Sequence, residues 1–175
     1  MKFQNLALLA VVVATLVACG GGGSDTPAAN PTPIAAGPAD KYVGTWGNCQ
    51  SITGGANGIV SVRSDFVFTK TAPAAMSLSV NGVGFTGANC SGNTVNPLNG
   101  LATATVTLNG TKLIGTDTVD RWDIVGTSQA IPELNGQAKE IGFISGNTLK
   151  LSSASVVDPQ GYPTALDNFT VFTKR

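Results

Sequence analysis

Apolar and polar residues alternate with a period of two over long stretches of this chain, and that rhythm restricts the fold more than any other feature. "IVSVRSDFVF" (59–68) sets Val60, Val62, Phe66 and Phe68 on one parity against Ser61, Arg63 and Asp65 on the other. "AMSLSV" (75–80) opposes Met76, Leu78 and Val80 to serines, and "ATATVTL" (102–108) places threonine at every second position from Thr103 to Thr107. "VDRWDIV" (119–125) sets Trp122 and Ile124 against Arg121 and Asp123. Successive side chains of a strand leave opposite faces of the sheet, so each stretch is a strand with one dry and one wet face. After residue 40 no comparable stretch carries a helical period.

The punctuation between these stretches is that of hairpins. Asn81-Gly82, Asn109-Gly110 and Gly146-Asn147 are turn dipeptides that tolerate positive φ. "DPQGYP" (158–163) reads as a longer loop, followed by a helical turn at "TALD". The strand segments are 41–47, 58–70, 75–85, 101–109, 111–116, 118–126, a hairpin pair in 138–152, and 168–174. Consecutive hairpins make a meander. About eight strands with one apolar face close into an antiparallel up-and-down barrel, which removes exposed edges. The expected fold is all-β.

Not all of the chain belongs to that barrel. Residues 1–18 open with Met1 and Lys2 and run through "LALLAVVVATLVA", too short for a comfortable membrane span but suited to a secretory signal peptide. "LVAC" (Leu16 to Cys19) resembles the lipobox of bacterial lipoproteins. That resemblance implies a diacylated Cys19 as the mature N-terminus and a membrane partner reached through the lipid. Residues 19–40 then form a tether whose glycines and prolines have almost nothing to bury. Its glycine run lacks the preceding strand and following Gly-Lys-Ser/Thr of a phosphate loop. Gly20 stands where an aspartate favours inner-membrane retention, so the resemblance implies the outer membrane, on its periplasmic or surface face. Residues 41–175 make a single domain long enough to bury a core.

Charge and residue inventory exclude several functions. Ten basic and ten acidic residues leave no net charge, and no block of like charge offers the counterion-releasing face that nucleic acid requires. The chain has no histidine, which removes Ser-His-Asp catalysis and the usual zinc nitrogen. Asp117, Asp120 and Asp123 do not form a metal cluster, since Asp120 points opposite the other two and the offsets of a calcium loop are absent. They read as solvated strand and turn residues. Glu133 and Glu140 are isolated. The expectation is a non-catalytic protein without cofactor or metal.

"GTW" (Gly44, Thr45, Trp46) resembles the Gly-x-Trp signature of the lipocalins and their wider relatives. "GTW..C", "C.G" at 90–92, "ISGNTLKL" and a last strand ending "TVFTKR" together resemble a lipocalin-like group of bacterial lipoproteins. In that family the tryptophan plugs the closed end of the barrel and a late arginine packs across it. The resemblance implies a plug of Gly44, Trp46 and Arg175, with Arg121 the other arginine available. With Cys19 taken by lipid, Cys49 and Cys90 remain in an oxidising compartment. A thiol nucleophile would need a base that a histidine-free chain lacks, so a disulfide is expected, worth up to roughly 4 kcal/mol for its loop. Two functions follow from such a barrel. It holds a small, mostly apolar ligand, with Phe66, Phe68, Trp122 and Phe143 as pocket walls, or it is packed solid and works as an envelope structural or protein-interaction module, an inhibitor or assembly accessory.

Overall fold

The computed structural model describes residues 32–53, 55–128, 135–153 and 156–175. The signal segment, Cys19, most of the tether and Glu133 lie outside the described residues. Eight strands run in order: β1 (Gly44–Ser51), β2 (Ser61–Ala72), β3 (Ala75–Gly87), β4 (Ser91–Ile114), β5 (Asp117–Ser128), β6 (Gly136–Ser145), β7 (Thr148–Ser152) and β8 (Leu166–Lys174). Each pairs antiparallel with the next and β8 returns to β1, giving a closed up-and-down barrel. The alternation carries through into packing. Ala102, Ala104, Val106 and Leu108 of β4 are buried in the core, while Thr103, Thr105 and Thr107 between them are exposed.

Three expected local features take another form. Asn109-Gly110 is not a hairpin turn but a bulge within the 24-residue β4, where the register with β5 slips between Leu108 and Thr111. Gly110 has φ +73°, which relieves the bulge without reversing the chain. Asn81-Gly82 lies inside β3 opposite Asp65 and Ser64, and the Asn81 side chain accepts the Gly100 N–H at 2.8 Å. The "TALD" stretch bends directly into β8 with no helical turn. Gly146-Asn147 does connect β6 to β7 as a hairpin.

The loop before β8 is a strap on the outside of the barrel. Lys112 Nζ holds Asp158 at 2.5 Å and the Pro163 carbonyl at 3.1 Å, and Lys139 Nζ reaches the Gln160 carbonyl at 2.6 Å. Under the strap, Tyr162 packs on Val119 and Ile141, with Phe143 and Leu166 at the margin, in a second apolar cluster on the outer face. The Tyr162 hydroxyl donates to Asp123 at 2.8 Å.

Closure is uneven around the ring. β1 and β2 share eight register pairs, but β1 meets β8 only at Trp46↔Lys174 and Gly47↔Thr173. β6 meets β7 at only three pairs next to their hairpin. The Cys49–Cys90 disulfide, with Cα atoms 6.0 Å apart, ties the far half of β1 to the 3₁₀ turn Ala88–Cys90 after β3. The β7–β8 hairpin is therefore fastened near one end of the barrel and joined by side chains toward the other.

Candidate functional site

One end of the barrel is closed by the chain just before β1. A 3₁₀ turn, Pro38–Tyr42, is docked there by Ala39 N–H on the Pro73 carbonyl at 3.1 Å and by Lys70, whose ammonium holds Asp40 and the Ala35 carbonyl. The turn drives the Tyr42 ring into the barrel. That ring stands edge-on to Trp122 at 4.9 Å between centroids and lies 6.4 Å from Phe68. Its hydroxyl donates to Asp120, which also pairs with Lys41 at 2.6 Å, and it lies 3.1 Å from the Gly142 carbonyl. Burial and the neighbouring Asp120 carboxylate push the Tyr42 hydroxyl far above its ordinary pKa. Asp120 does point opposite Asp123, but it is not solvated: it is 4% exposed and serves the tyrosine.

Trp46 is fully buried beside this cluster and donates its indole N–H to the Tyr42 carbonyl at 2.7 Å. Gly44 precedes it with φ +119°, and a Cβ there would meet the Lys174 stem at 3.5 Å. The cation over the Trp46 ring is Lys174, its Nζ 5.3 Å from the centroid. Arg175, the residue expected there, follows the next parity to the outer face. It reaches Asp65 at 3.2 Å, where Arg63 also binds. Arg121 is outside as well, over Tyr162 at 5.3 Å. The role expected of an arginine thus falls to the lysine one position earlier.

Away from this plug the inward side chains shrink. Phe66 stacks on Phe172 at 4.5 Å. Facing inward on β4 and β5 beyond Val106 and Ile124 are Ala104, Ala102 and Gly126, with Ala138 of β6 level with Ile124, as their registers require. At the rim Leu101 covers Gly82 and Ile59 covers Gly84, closing part of the mouth above β3. Of the four expected pocket walls, Phe66, Phe68 and Trp122 share the interior, whereas Phe143 lies in the outer cluster beneath the strap. The reason is the strap itself. It makes the outer face of β6 apolar, so in "GQAKEIGF" both parities carry apolar residues and Phe143 falls on the outward one with Lys139 and Ile141.

The other parity of that strand carries Ala138, Glu140 and Gly142, and Glu140 stands opposite the inward Trp122. Its Oε1 accepts the Ile141 N–H at 2.7 Å and the Ser152 N–H at 3.0 Å, bridging β6 and β7 just where their ladder has ended. Burial pushes this carboxyl above the usual carboxylate range. A lone glutamate in a polar-looking segment gave no sign of this position. The only signal available was its shared parity with Ala138 and Gly142.

A concavity of about 450 Å³ lies on the outer face of β2–β5. Threonines, serines and Val125 line it, with no charged group. Comparison with family models, curated proteins and solved structures finds no match to this chain.

Proposed function

We propose that this protein is a lipid-anchored, lipocalin-like barrel of the outer membrane that holds one small, mostly apolar ligand in the half of its interior away from the aromatic plug. It acts by binding, without catalysis. The observation that carries this reading is the change in side-chain size along the barrel. Tyr42, Trp46, Phe68 and Trp122 fill the closed end, each at most 1% exposed, while alanines and Gly126 line the wall beyond Val106 and Ile124. A small barrel either fills itself with side chains or leaves room for a ligand, and the fall in side-chain size away from the plug supports the second regime there. The stacked Phe66 and Phe172 supply an apolar floor on the facing wall.

The second reading, an envelope protein-interaction module, is favoured by the uncharged concavity on the outer face of β2–β5. Native mass spectrometry of protein purified from its own envelope separates the two. A discrete co-purifying mass, released on unfolding, is the expected result. A spectrum with the unliganded mass alone, with no uptake of added octanol, overturns the ligand reading in favour of the module.

A further inference from the structure

We infer that the far half of β1, residues 49–51, is a docking edge for an extended segment of a partner protein. The segment adds to it as an antiparallel strand and lays an apolar side chain against Phe169. This surface is separate from the ligand-binding reading, since neither the interior nor the plug takes part in it. In an antiparallel strand the N–H and C=O groups of successive residues point alternately to its two neighbours. Thr45 accepts the Arg175 N–H at 3.0 Å on the β8 side, and Ile52 donates to the Val60 carbonyl at 2.9 Å on the β2 side. Cys49 and Ser51 share the parity of Thr45, so their backbone groups face β8. The β1–β8 ladder has stopped before them, at Gly47↔Thr173.

In that register Cys49 would come next, against Val171. Instead the Asn48 side chain donates to the Val171 carbonyl at 2.8 Å. Beyond it β8 bulges. Between the pairs Lys150↔Val171 and Ser152↔Leu166, residues 167–170 stand opposite Leu151 alone, and the Phe169 N–H turns back onto Asp167 at 2.7 Å. Side chains thus cap the β8 bank, whereas among the described residues no strand pairs with residues 49–51 on that side, and all three are exposed. The edge is held from behind, by pairing with β2 as far as Ser51↔Ser61 and by the Cys49–Cys90 disulfide. A fixed row of alternating donors and acceptors is matched by extended backbone. Phe169, 97% exposed, offers that segment an apolar contact on the β8 bank. Cations flank both banks, Arg63 across from Cys49 and Lys150 across from Val171. Asp65 answers Arg63, but Lys150 holds only the neutral Asn168, at 2.8 Å. The partner that fits is therefore an apolar strand with an acid at its end.

The probe is a fluorescein-labelled, amidated heptapeptide, Glu-Val-Thr-Val-Thr-Val-Glu, with two N-methylated forms that block the amides of one edge or of the other. Anisotropy titrations use the mature lipidated protein in nanodiscs, with empty nanodiscs subtracted. The two methylated forms should differ in affinity by about 10-fold or more, because only one of them loses the bonds to β1. Hydrogen exchange with the unmethylated peptide should slow the Cys49 and Ser51 amides and leave Asn48 and Gln50, which face β2, as they were. Phe169→Ser should weaken binding about 5-fold or more, and its melting midpoint checks that it is folded. Equal affinities of the two methylated forms overturn the inference on the wild-type protein alone, as do unchanged Cys49 and Ser51 amides. Undiminished binding to a folded Phe169→Ser protein overturns the apolar contact. Absence of any peptide binding overturns the docking edge and leaves the ligand-binding reading untouched. Dimerisation of the free protein that protects the same two amides assigns the edge to a second copy, and overturns the partner.

Discussion

At the scale of single residues, the closed end depends on two rings. Trp46 is fully buried, hydrogen-bonded to the Tyr42 carbonyl and covered by Lys174. Truncation to alanine removes both the burial and the indole donor, so Trp46→Ala should lose about 3–5 kcal/mol, a large share of a domain's 5–15 kcal/mol. Chemical denaturation measures this directly, and wild-type stability in the variant would contradict the plug. Tyr42 makes a pH-dependent contribution whose sign is fixed by the direction of its shift. The native hydroxyl is held above its ordinary value, whereas an unfolded tyrosine ionises near pH 10. Above about pH 10 the unfolded chain has released a proton that the native state keeps, so stability is complete at neutral pH and falls as pH rises, by at most about 1.4 kcal/mol per pH unit. Denaturation midpoints between pH 8 and 11 should show this decline. Tyr42→Phe should flatten it, with Tyr162, also shifted upward by burial, supplying what remains. At neutral pH the same variant should cost about 1–3 kcal/mol, because buried Asp120 loses a donor. An unchanged alkaline slope in Tyr42→Phe would assign the effect elsewhere.

At the scale of elements, what was legible was what alternation encodes. The parities of β3, β4 and β5, and of β2 at Phe66 and Phe68, put the right residues inside because each has one apolar face, whereas at the start of β2 Val60 is exposed and Ser61 and Asp65 are buried. Closure of an eight-stranded meander follows from that alternation. The Cys49–Cys90 pairing followed from the cysteine inventory. Alternation failed where both faces are apolar. The strap over Val119 and Ile141 hides a second dry surface, so Phe143 was read as a pocket wall and Glu140 as an isolated charge. Turn dipeptides failed inside long strands, because Asn-Gly serves a bulge at 109–110 as readily as a reversal. Contacts between the 3₁₀ turn and the barrel floor join residues about 80 to 100 positions apart, beyond the reach of any local pattern. One glycine on that floor has a steric reason that no local pattern carries. A Cβ at Gly142 would overlap the Trp122 indole, whose neighbours are Tyr42 and Phe68. With the ring held on its other sides, Gly142→Ala should cost about 1–3 kcal/mol or more through overpacking. A melting curve on the variant checks this, and an unshifted midpoint would mean that the floor can yield.

At the scale of the whole molecule, the closed end is also the end where the chain enters the barrel. Residues 32–37 lead into the Pro38–Tyr42 turn, so the segment bearing Cys19 joins the described chain at the plugged end. A lipid at Cys19 would therefore hold the protein by its closed end, outside the packing described for Tyr42, Trp46 and Trp122. Anchoring and folding should then be separable. Cys19→Ala should abolish labelling by a palmitate analogue and move the protein out of the outer-membrane fraction. Its denaturation midpoint should stay at the wild-type value, since Trp46, Tyr42 and the Cys49–Cys90 bridge are untouched. Surface substitutions remote from such features ordinarily change stability by less than about 0.5 kcal/mol, which sets the tolerance of the comparison. Continued labelling of the variant would refute lipid attachment at Cys19. Lost labelling together with a lowered midpoint would show instead that the N-terminal segment contributes to the barrel, and that anchor and plug act as one unit.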